Sequence, residues 1–421
     1  MLDLQDRLDE LKGLGLHRRM RLVSGPQGPR VVLDGKPVLL LCSNNYLGLA
    51  DHPRVREAAA DAAMRWGAGA GASRLVSGNM TLHRRLEERL AAFKGTQSAL
   101  LFGSGYLANL GVVAALARNG EIVFSDELNH ASIIDGCRLS GAETFVYRHG
   151  DVDHLAWALR NADGRGALIV TDGVFSMDGD VAPLEEIVEL ARRHDVRVVV
   201  DDAHGTGTFG PGGRGAVAEA GLDGEIDVIV GTLGKALGSY GAFVACDLAV
   251  TRYLVNTARP LIFSTGLPPS AAAAAMAALE LLQEQPRRVE RLADNAATLR
   301  DELAREGFDV SGSETQIVPL IAGEAGLAMR ICEAALDKGV FAQAIRPPTV
   351  PDGTSRLRLA VMASHTRSEL REAARIIAQA ALRNGLRPSS TVPVAAAQTS
   401  APAGAVRLFD GDAEESLPQA A

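Results

Sequence analysis

Two short apolar runs in the middle of the chain constrain its fold more than any other feature. Segment 198–204 reads VVVDDAH and segment 228–235 reads VIVGTLGK, so each opens on three β-branched residues and closes on polar ones. Runs of this length and type are typical of buried parallel strands. Ligands of open α/β sheets bind at the carboxyl ends of such strands. We therefore expect Asp201, His204 and Lys235 to meet at one edge of a sheet.

A carboxylate, an imidazole and an amine in this arrangement suit a pyridoxal phosphate site. In such a site a lysine forms a Schiff base with the cofactor, and a carboxylate keeps the pyridine nitrogen protonated so that the ring accepts electrons. The sequence predicts Lys235 and Asp201 for these two roles. A GxGxxG string at 205–210 follows the first run, but Pro211 and two glycines come next. These residues exclude the helix that a dinucleotide site requires.

The composition is that of a globular enzyme. Of the 421 residues 47% are hydrophobic and 22% are charged, and the net charge of −8 does not support a nucleic-acid or anionic-membrane partner. The four cysteines form no CxxC pair, so we expect reduced core thiols and no metal site. No apolar run approaches the roughly 20 residues of a membrane span, and the N terminus lacks a signal pattern. We expect a cytoplasmic protein.

A glycine turn at 103–105 supplies a second feature of the predicted site. Residues 98–102 are typical of a strand and Tyr106 opens a helical stretch, so the turn leads into a helix N terminus. Free backbone N–H groups and the positive end of the helix dipole make such a terminus an anion site. We expect Gly105 and Tyr106 to bind the cofactor phosphate.

Several strings in this order resemble the α-oxoamine synthases, a family of fold-type I pyridoxal phosphate enzymes. The resemblance covers about residues 15–383. It implies a homodimer with sites at the subunit interface, and a decarboxylative condensation of an amino acid with an acyl thioester. The strings that carry it are SNNYLGL at 43–49, GSGYLAN at 103–109, NHAS at 129–132, DGVFSMDG at 172–179, Asp201-x-x-His204 and Thr232-x-x-Lys235.

The expected fold is α/β, with a mainly parallel central sheet, helices on both of its faces and a smaller C-terminal α+β domain. We predict an N-terminal helix and hairpin segment at 1–50, a large cofactor-binding domain at 51–288 and the small domain at 289–384. Residues 385–421 are rich in Pro, Ala and Ser and are predicted to form a disordered tail.

The resemblance implies roles for the residues around the cofactor ring. His130 is implied to stack on the ring, and an imidazole in that position can also move protons. His204 is implied to hydrogen-bond the phenolic oxygen of the ring, with Ser176 nearby. Lys235, once released from the cofactor, is implied to act as the base that removes the α-proton of the amino acid.

Three hydroxyl residues complete the implied cofactor site. Thr232 belongs to the motif that ends in Lys235. The family resemblance further implies that a hydroxyl at Ser264 or Thr265 reaches the cofactor phosphate of the neighbouring subunit.

Asparagine and arginine residues are implied to bind the substrates. Asn44 is implied to face the carboxylate of the amino acid. Arg356 and Arg358 fall on the same face of a strand with period-two alternation, and a guanidinium fork matches a carboxylate well. The family's carboxylate-binding arginine corresponds to Arg358. Arg18 corresponds to an arginine that approaches the acyl chain.

The identity of the substrates stays open at this point. Strings at 74–79, 103–109 and 238–245 favour the branch of the family that joins L-alanine to a pimeloyl thioester in biotin biosynthesis. Residues 44–46 and 126–136 are equally like the branch that uses glycine and acetyl-coenzyme A. The acyl carrier is either coenzyme A or a carrier protein. A fold-type I aminotransferase is the more distant alternative, and the presence of Lys235 disfavours a catalytically silent subunit.

Overall fold

The computed structural model describes residues 3–388. The predicted tail from residue 389 onward lies outside the described residues. The helices are α1 (Leu4–Gly13), α2 (Pro53–Trp66), α3 (Thr81–Lys94), α4 (Gly105–Leu116), α5 (Ala131–Ser140), α6 (Val152–Arg160), α7 (Leu184–His194), α8 (Ala216–Glu219), α9 (Leu248–Thr257), α10 (Arg259–Ile262), α11 (Pro269–Glu284), α12 (Arg287–Arg305), α13 (Ala325–Leu336) and α14 (Arg367–Arg383). The strands are β1 (Val23–Ser24), β2 (Arg30–Leu33), β3 (Lys36–Leu40), β4 (Ser98–Phe102), β5 (Ile122–Asp126), β6 (Glu143–Tyr147), β7 (Gly166–Asp172), β8 (Arg197–Asp201), β9 (Val228–Thr232), β10 (Ala242–Cys246), β11 (Ile317–Gly323), β12 (Val340–Phe341), β13 (Gln343–Ile345) and β14 (Ser355–Ala360).

The central sheet confirms the predicted α/β fold. It has seven strands in the order β4-β10-β9-β8-β7-β5-β6. Strand β10 runs antiparallel to both of its neighbours, whereas the other pairs in the sheet are parallel. Every residue of β5, β9 and β10 is buried, as expected for strands that are covered on both faces.

Helices cover both faces of this sheet, because successive side chains of each strand point to opposite sides. On β8, Val199 packs into a cluster that includes residues of α4, α5 and α9. Val198 and Val200 pack into a larger cluster that includes residues of α3, α7 and α11. The apolar run at 198–200, predicted to be a buried strand, therefore contributes to both layers of the core.

Two smaller sheets complete the fold, and one of them joins the N-terminal hairpin to a strand in the C-terminal part of the described chain. Strands β11, β14 and β13 form an antiparallel sheet in that order, which confirms the predicted smaller C-terminal domain. Strands β2 and β3 form the predicted hairpin through Asp34 and Gly35, and β12 pairs in parallel with β3. The predicted boundaries at 50, 288 and 384 stay predictions.

The junction of the two ends is held by a buried histidine. His365 Nε2 lies 2.9 Å from the carbonyl oxygen of Leu40 on β3, and His365 Nδ1 accepts from the backbone N–H of Met362 at 2.9 Å. Helix α1, at the start of the described residues, buries none of its own side chains. Within residues 3–388, no helix is both long enough and apolar enough to cross a membrane.

Lys94 and Asp202 form an ion pair in the interior beside the predicted site. Lys94 Nζ lies 2.6 Å from Asp202 Oδ2 and 2.6 Å from the carbonyl oxygen of Arg214, and both charged side chains are at most 1% exposed. The other Asp202 oxygen accepts from the Ala216 N–H at 3.0 Å. A Cβ at Gly215 would overlap the Asp202 carboxylate, so only glycine fits this close approach. The pair thus fixes the segment that follows β8.

Lys94→Met is expected to destabilise the protein, because the Asp202 carboxylate would stay buried without its cation. Removing one partner of a buried ion pair costs about 3–5 kcal/mol, and we expect a loss of that size in the apparent free energy of unfolding in urea. Lys36→Met is the matched control, since Lys36 is exposed on β3. Equal losses in the two variants would contradict the role given to the pair.

Candidate active site

Three strands end at one place on the carboxyl edge of the central sheet. Asp172 ends β7, Asp201 ends β8 and Thr232 ends β9. Asp172 and Asp201 are register partners on adjacent parallel strands, and both are buried. The segments that follow β8 and β9 carry His204 and Lys235, whose side chains meet here. The structure therefore brings these residues together at the edge that the sequence indicates.

Lys235 is a partly buried lysine whose amine lies against an imidazole. It follows β9 through a tight turn in which the Gly234 N–H donates to Thr232 Oγ1 at 3.1 Å. Lys235 Nζ lies 2.6 Å from His204 Nε2. Desolvation lowers the pKa of Lys235 to about 8, although the nearby Asp201 carboxylate opposes that shift. The amine therefore loses its proton much more readily than that of an exposed lysine.

His204 is a buried, neutral imidazole with a partner at each ring nitrogen. Its Nδ1 lies 2.7 Å from the hydroxyl oxygen of Tyr46, on the opposite side of the ring from Lys235. Burial, followed by the nearby Lys235 and Arg358 cations, holds the pKa of His204 well below its usual value. The backbone also fixes the residue, because its carbonyl oxygen accepts from Gln316 Nε2 at 2.8 Å.

Asp201 is held as an acceptor by donors on two sides. Its Oδ2 accepts from Asn109 Nδ2 at 2.6 Å, and its Oδ1 accepts from the Ala203 N–H at 2.9 Å. Asn109 lies on α4 and also donates to Ser132 Oγ at 2.8 Å. Donors of this kind favour the charged form of a carboxylate. Asp201 is thus prepared to face a protonated ring nitrogen.

His130 is the N-cap residue of α5 and is exposed as a residue, although the hydrogen bond of its ring is partly buried. Its backbone N–H donates to Asp172 Oδ2 at 3.1 Å, and its Nδ1 lies 2.7 Å from Ser132 Oγ. Ser132 thereby connects His130 with Asn109, the partner of Asp201. The backbone and one ring nitrogen are fixed, so the ring face is presented in one orientation.

The N terminus of α4 has the form expected of a phosphate site. Ser104 is the N-cap, and its Oγ accepts from the Leu107 N–H at 3.2 Å. Gly105 and Tyr106 are the first two residues of the helix, and N–H groups in these positions have no intrahelical acceptor. A Cβ at Gly105 would meet nothing within 4 Å. The Tyr106 hydroxyl is turned to Asp135 on α5.

Ser264 and Thr265 lie in the segment between α10 and α11. Thr265 is exposed and forms an isolated antiparallel bridge with Ser73, which belongs to the glycine-rich segment after α2. Ser264 is partly buried. The structure shows neither hydroxyl in contact with Lys235 or Asp201 of the same chain among the described residues. A role toward a neighbouring subunit stays a prediction.

A second corner of the site is formed by residues from distant parts of the chain. Arg358 on β14 donates from Nη2 to the Tyr46 hydroxyl at 3.0 Å and from Nη1 to Asn44 Oδ1 at 3.2 Å. Its Nε donates to the carbonyl oxygen of Ser176. The guanidinium is therefore buried and oriented by neutral acceptors, with no carboxylate paired to it among the described residues. Such a cation is suited to bind an incoming carboxylate.

The two arginines of β14 have different partners, although they share a face. Arg356 pairs with Asp178, whereas Arg358 joins the corner with Asn44. Arg18 is exposed and donates to the carbonyl oxygen of Pro347 at 3.2 Å. Within the described contacts, Arg18 reaches none of the residues around Lys235, and its role toward an acyl chain stays a prediction.

Sequence reasoning missed two residues of the network. Tyr46 lies in the string at 43–49 and Asn109 in the string at 103–109, but neither was given a role. Asn109 is the one fully buried polar side chain on the apolar face of α4 in the described structure, and an asparagine in such a place requires a partner. That signal could have identified it. Tyr46 offered no comparable signal, since a buried tyrosine is ordinary core.

Comparison with known proteins first defines the class. Residues 36–377 match the family model described as aminotransferase class I and II. The chain belongs to this family. Within it, the chain is 53% identical over 389 residues to an 8-amino-7-oxononanoate synthase of Citrifermentans bemidjiense, and the match covers 92% of this chain and 100% of that protein.

Solved structures agree with this assignment. A serine palmitoyltransferase variant from S. paucimobilis with a bound PLP–myriocin aldimine superposes with a TM-score of 0.87 at 35% identity, covering 91% of this chain and 98% of that chain. An 8-amino-7-oxononanoate synthase from Francisella tularensis superposes with a TM-score of 0.71 at 27% identity, covering 82% of this chain and 98% of that chain. The predicted fold-type I architecture is confirmed.

The residues present fit pyridoxal phosphate. The site offers a carboxylate with fixed donors at Asp201, an amine with a lowered pKa at Lys235 and free N–H groups at the start of α4. These are the partners needed for a pyridine nitrogen, an aldehyde and a phosphate, respectively. His130, with its Nδ1 held by Ser132, offers an imidazole of fixed position beside this site.

The cofactor-free protein should show an unusually reactive Lys235. Because desolvation lowers its pKa to about 8, the neutral amine should accumulate as the pH rises through about 8, whereas an ordinary lysine titrates near 10.4. Acetic anhydride labelling, read by peptide mass spectrometry, measures the titration of each amine. A pH range of roughly 6–11 brackets the pKa of Lys235 and that of an ordinary lysine. The exposed Lys36 is the internal control, and coincident titration of both lysines would contradict the lowered pKa.

Proposed function

We propose that this protein is a pyridoxal phosphate enzyme that condenses L-alanine with a pimeloyl thioester. The products are 8-amino-7-oxononanoate, CO2 and the free thiol, and the reaction is a step of biotin biosynthesis. The observation that carries the proposal is the connection of Lys235, through His204 and Tyr46, to Arg358. This connection supports the proposal, because the amine proposed to bind the cofactor and the cation proposed to bind a carboxylate belong to one hydrogen-bond network.

The choice of substrates rests on the curated relatives. Proteins named 8-amino-7-oxononanoate synthase are 53% and 54% identical to this chain over 92% and 88% of its length. Identity of this extent over nearly the whole chain supports the same acyl and amino substrates. The thioester is carried by coenzyme A or by an acyl carrier protein.

Residues around Lys235 would hold the cofactor. Asp201 would face the pyridine nitrogen, His130 would stack on the ring and His204 would face the phenolic oxygen, with Ser176 nearby. The N–H groups of Gly105 and Tyr106, together with the Thr232 hydroxyl, would hold the phosphate. When bound, pyridoxal phosphate draws electrons from the α-carbon of the amino acid.

The remaining chemistry falls to side chains of this chain. Arg358 and Asn44 bind the carboxylate of the amino acid and orient its α-carbon toward Lys235. The Lys235 amine takes up the α-proton, and its pKa of about 8 suits a base that works near neutral pH. His204 lies 2.6 Å from that amine and fixes its direction. His130 supplies a proton in the later steps.

The working form is proposed to be a cytoplasmic homodimer with a site at each side of the interface. Large apolar side chains are exposed beside the bridge between Ser73 and Thr265, namely Val76 at 79% and Phe263 at 71% exposure. A partner subunit would cover such a surface. The hydroxyl of Ser264 or Thr265 would then reach the cofactor phosphate of the partner subunit.

Thiol release tests the proposed reaction. With pimeloyl-coenzyme A we expect thiol release in the presence of L-alanine and much less with glycine, because the relatives that support the proposal are named for the alanine-derived product. The part of the visible absorbance that depends on a bond between the cofactor and Lys235 should disappear in Lys235→Ala. Release with glycine and acetyl-coenzyme A, but not with the pimeloyl thioester, would refute the substrate assignment.

Arg358→Lys should raise the KM for the amino acid by about tenfold or more, because an ammonium cannot replace the forked guanidinium at a carboxylate. Steady-state kinetics with saturating thioester measure this. Arg356→Lys is the matched control, since Arg356 lies two residues away on the same face but pairs with Asp178. A similar KM increase in both variants would count against Arg358 as the carboxylate-binding residue.

A further inference from the structure

The hydroxyl of Tyr46 joins three residues of the site, but the chemical steps of the proposed reaction leave the position of its proton unexplained. Its oxygen lies 2.7 Å from His204 Nδ1, 3.0 Å from Asn44 Oδ1 and 3.0 Å from Arg358 Nη2. Tyr46 is fully buried, with 0% of its surface exposed. A buried hydroxyl with three partners at hydrogen-bond distance is constrained by the number of protons available.

One hydroxyl proton has two possible acceptors. Arg358 carries donors only, so the Tyr46 oxygen accepts from it in every arrangement. The hydroxyl proton then points either to Asn44 Oδ1 or to His204 Nδ1. In the first arrangement Nδ1 carries the ring proton and donates to Tyr46, whereas in the second Nδ1 accepts from Tyr46.

The consequence appears at the other ring nitrogen. A neutral imidazole has one N–H, so a proton on Nδ1 makes Nε2 an acceptor, and a bare Nδ1 makes Nε2 a donor. His204 Nε2 lies 2.6 Å from Lys235 Nζ. As an acceptor it stabilises the Lys235 ammonium, and as a donor it stabilises either the neutral amine or an anionic oxygen beside it.

We propose that Tyr46 is a positioning residue whose hydroxyl, by rotating between Asn44 and His204, determines which nitrogen of His204 carries the proton. The group that faces Lys235 is thereby an acceptor in one arrangement and a donor in the other, and the ring proton lost from one nitrogen and gained at the other is exchanged with solvent. This inference rests on the proposed function, because it takes Lys235 as the residue that carries the cofactor.

No other side chain substitutes for Tyr46 at this position. Among the described residues, Tyr46 is the hydrogen-bond partner of His204 Nδ1, whereas the Gln316 amide donates to the backbone carbonyl of His204 and also interacts with the Tyr46 hydroxyl. The same charged or titratable groups surround the two residues in both arrangements. Lys235, Arg358 and His130 face His204, and Asp201, Arg358 and Asp172 face Lys235.

Titration of the visible absorbance of the cofactor-loaded enzyme tests the proposal. In Tyr46→Phe, Nδ1 loses the hydroxyl that donates to it, so Nε2 becomes a weaker donor toward the cofactor at Lys235. The midpoint of the spectral titration should therefore rise by about one pH unit. Tyr147→Phe is the matched control, since the Tyr147 hydroxyl is also buried but bonds none of these residues. Its midpoint should match that of the wild type.

A double-mutant cycle shows whether the hydroxyl acts through the imidazole. In a His204→Asn background, Tyr46→Phe should leave the midpoint unchanged. An equal rise in that background, or a rise in Tyr46→Phe no larger than in Tyr147→Phe, would overturn the inference.

A second measurement covers the case in which Tyr46→Phe does not fold. Replacing all five tyrosines with 3-fluorotyrosine keeps every atom of the network and makes the hydroxyl a stronger donor. The midpoint should then fall in the wild type and stay fixed in His204→Asn; an unchanged midpoint in the wild type would overturn the proposal.

The spectral titration tests the role of Tyr46 separately from the proposed substrates. The titration requires neither alanine nor thioester, so a spectral effect of Tyr46 without thiol release would refute the substrates and support the role of Tyr46. Absence of any absorbance that depends on Lys235 would overturn both.

Discussion

Desolvation of charged groups at the carboxyl edge of the central sheet is the constraint on which the site depends. Parallel pairing of β7 with β8 places Asp172 beside Asp201, and a buried carboxylate is costly unless donors surround it. Asp201 has the Asn109 amide and the Ala203 N–H, and Asp202 has Lys94. Burial and then the Asp201 charge raise the pKa of Asp172 well above its usual range. The pair thus favours a single negative charge at the end of these strands.

Because buried charged groups need hydrogen-bond partners, the site also connects parts of the chain that are far apart in sequence. Arg358 comes from the small C-terminal sheet, yet its donors are used by Asn44 and Tyr46 near the N terminus and by the Ser176 carbonyl after β7. The segment that carries Ser176 is fixed in turn by His149, whose ring nitrogens lie 2.9 Å from Asp126 and 2.8 Å from Asp180.

His149 shows how strongly two neighbouring carboxylates can raise the pKa of a partly buried imidazole. Desolvation alone would lower its pKa, but the hydrogen bonds and charges of Asp126 and Asp180 outweigh it and raise the pKa to about 10. The imidazolium therefore keeps its charge at neutral pH and holds β5 against the loop after β7. The Phe175 ring contacts it edge-on, with ring centroids 4.4 Å apart.

Sequence patterns predicted the parts of the site that are local. The apolar runs before Asp201 and Lys235 predicted two strands and the meeting of their ends, because strand length and β-branching are properties of short segments. The glycine turn before α4 was readable for the same reason. Roles for Asn44 and Arg358 came only from family resemblance, since their 314-residue separation leaves no local pattern.

Other features could not be predicted from any single segment of the sequence. Lys94 closes a helix rich in charged residues next to a glycine, which is typical of an exposed cation at a helix end. Its burial arises from Asp202, which lies 108 residues away. Tyr46 likewise gains its meaning only when His204 and Arg358 converge on its hydroxyl.

The pairing of the two ends of the described chain has a consequence for synthesis. Leu40 meets the side chain of His365 across 325 residues. At ribosomal rates of about 5–20 residues per second, β3 therefore waits roughly 16–65 s before the residues that cover it have been made. During that interval the edge that β12 later occupies is free to pair with other strands. A nascent chain therefore exposes this unpaired strand edge until the residues that form β12 have been made.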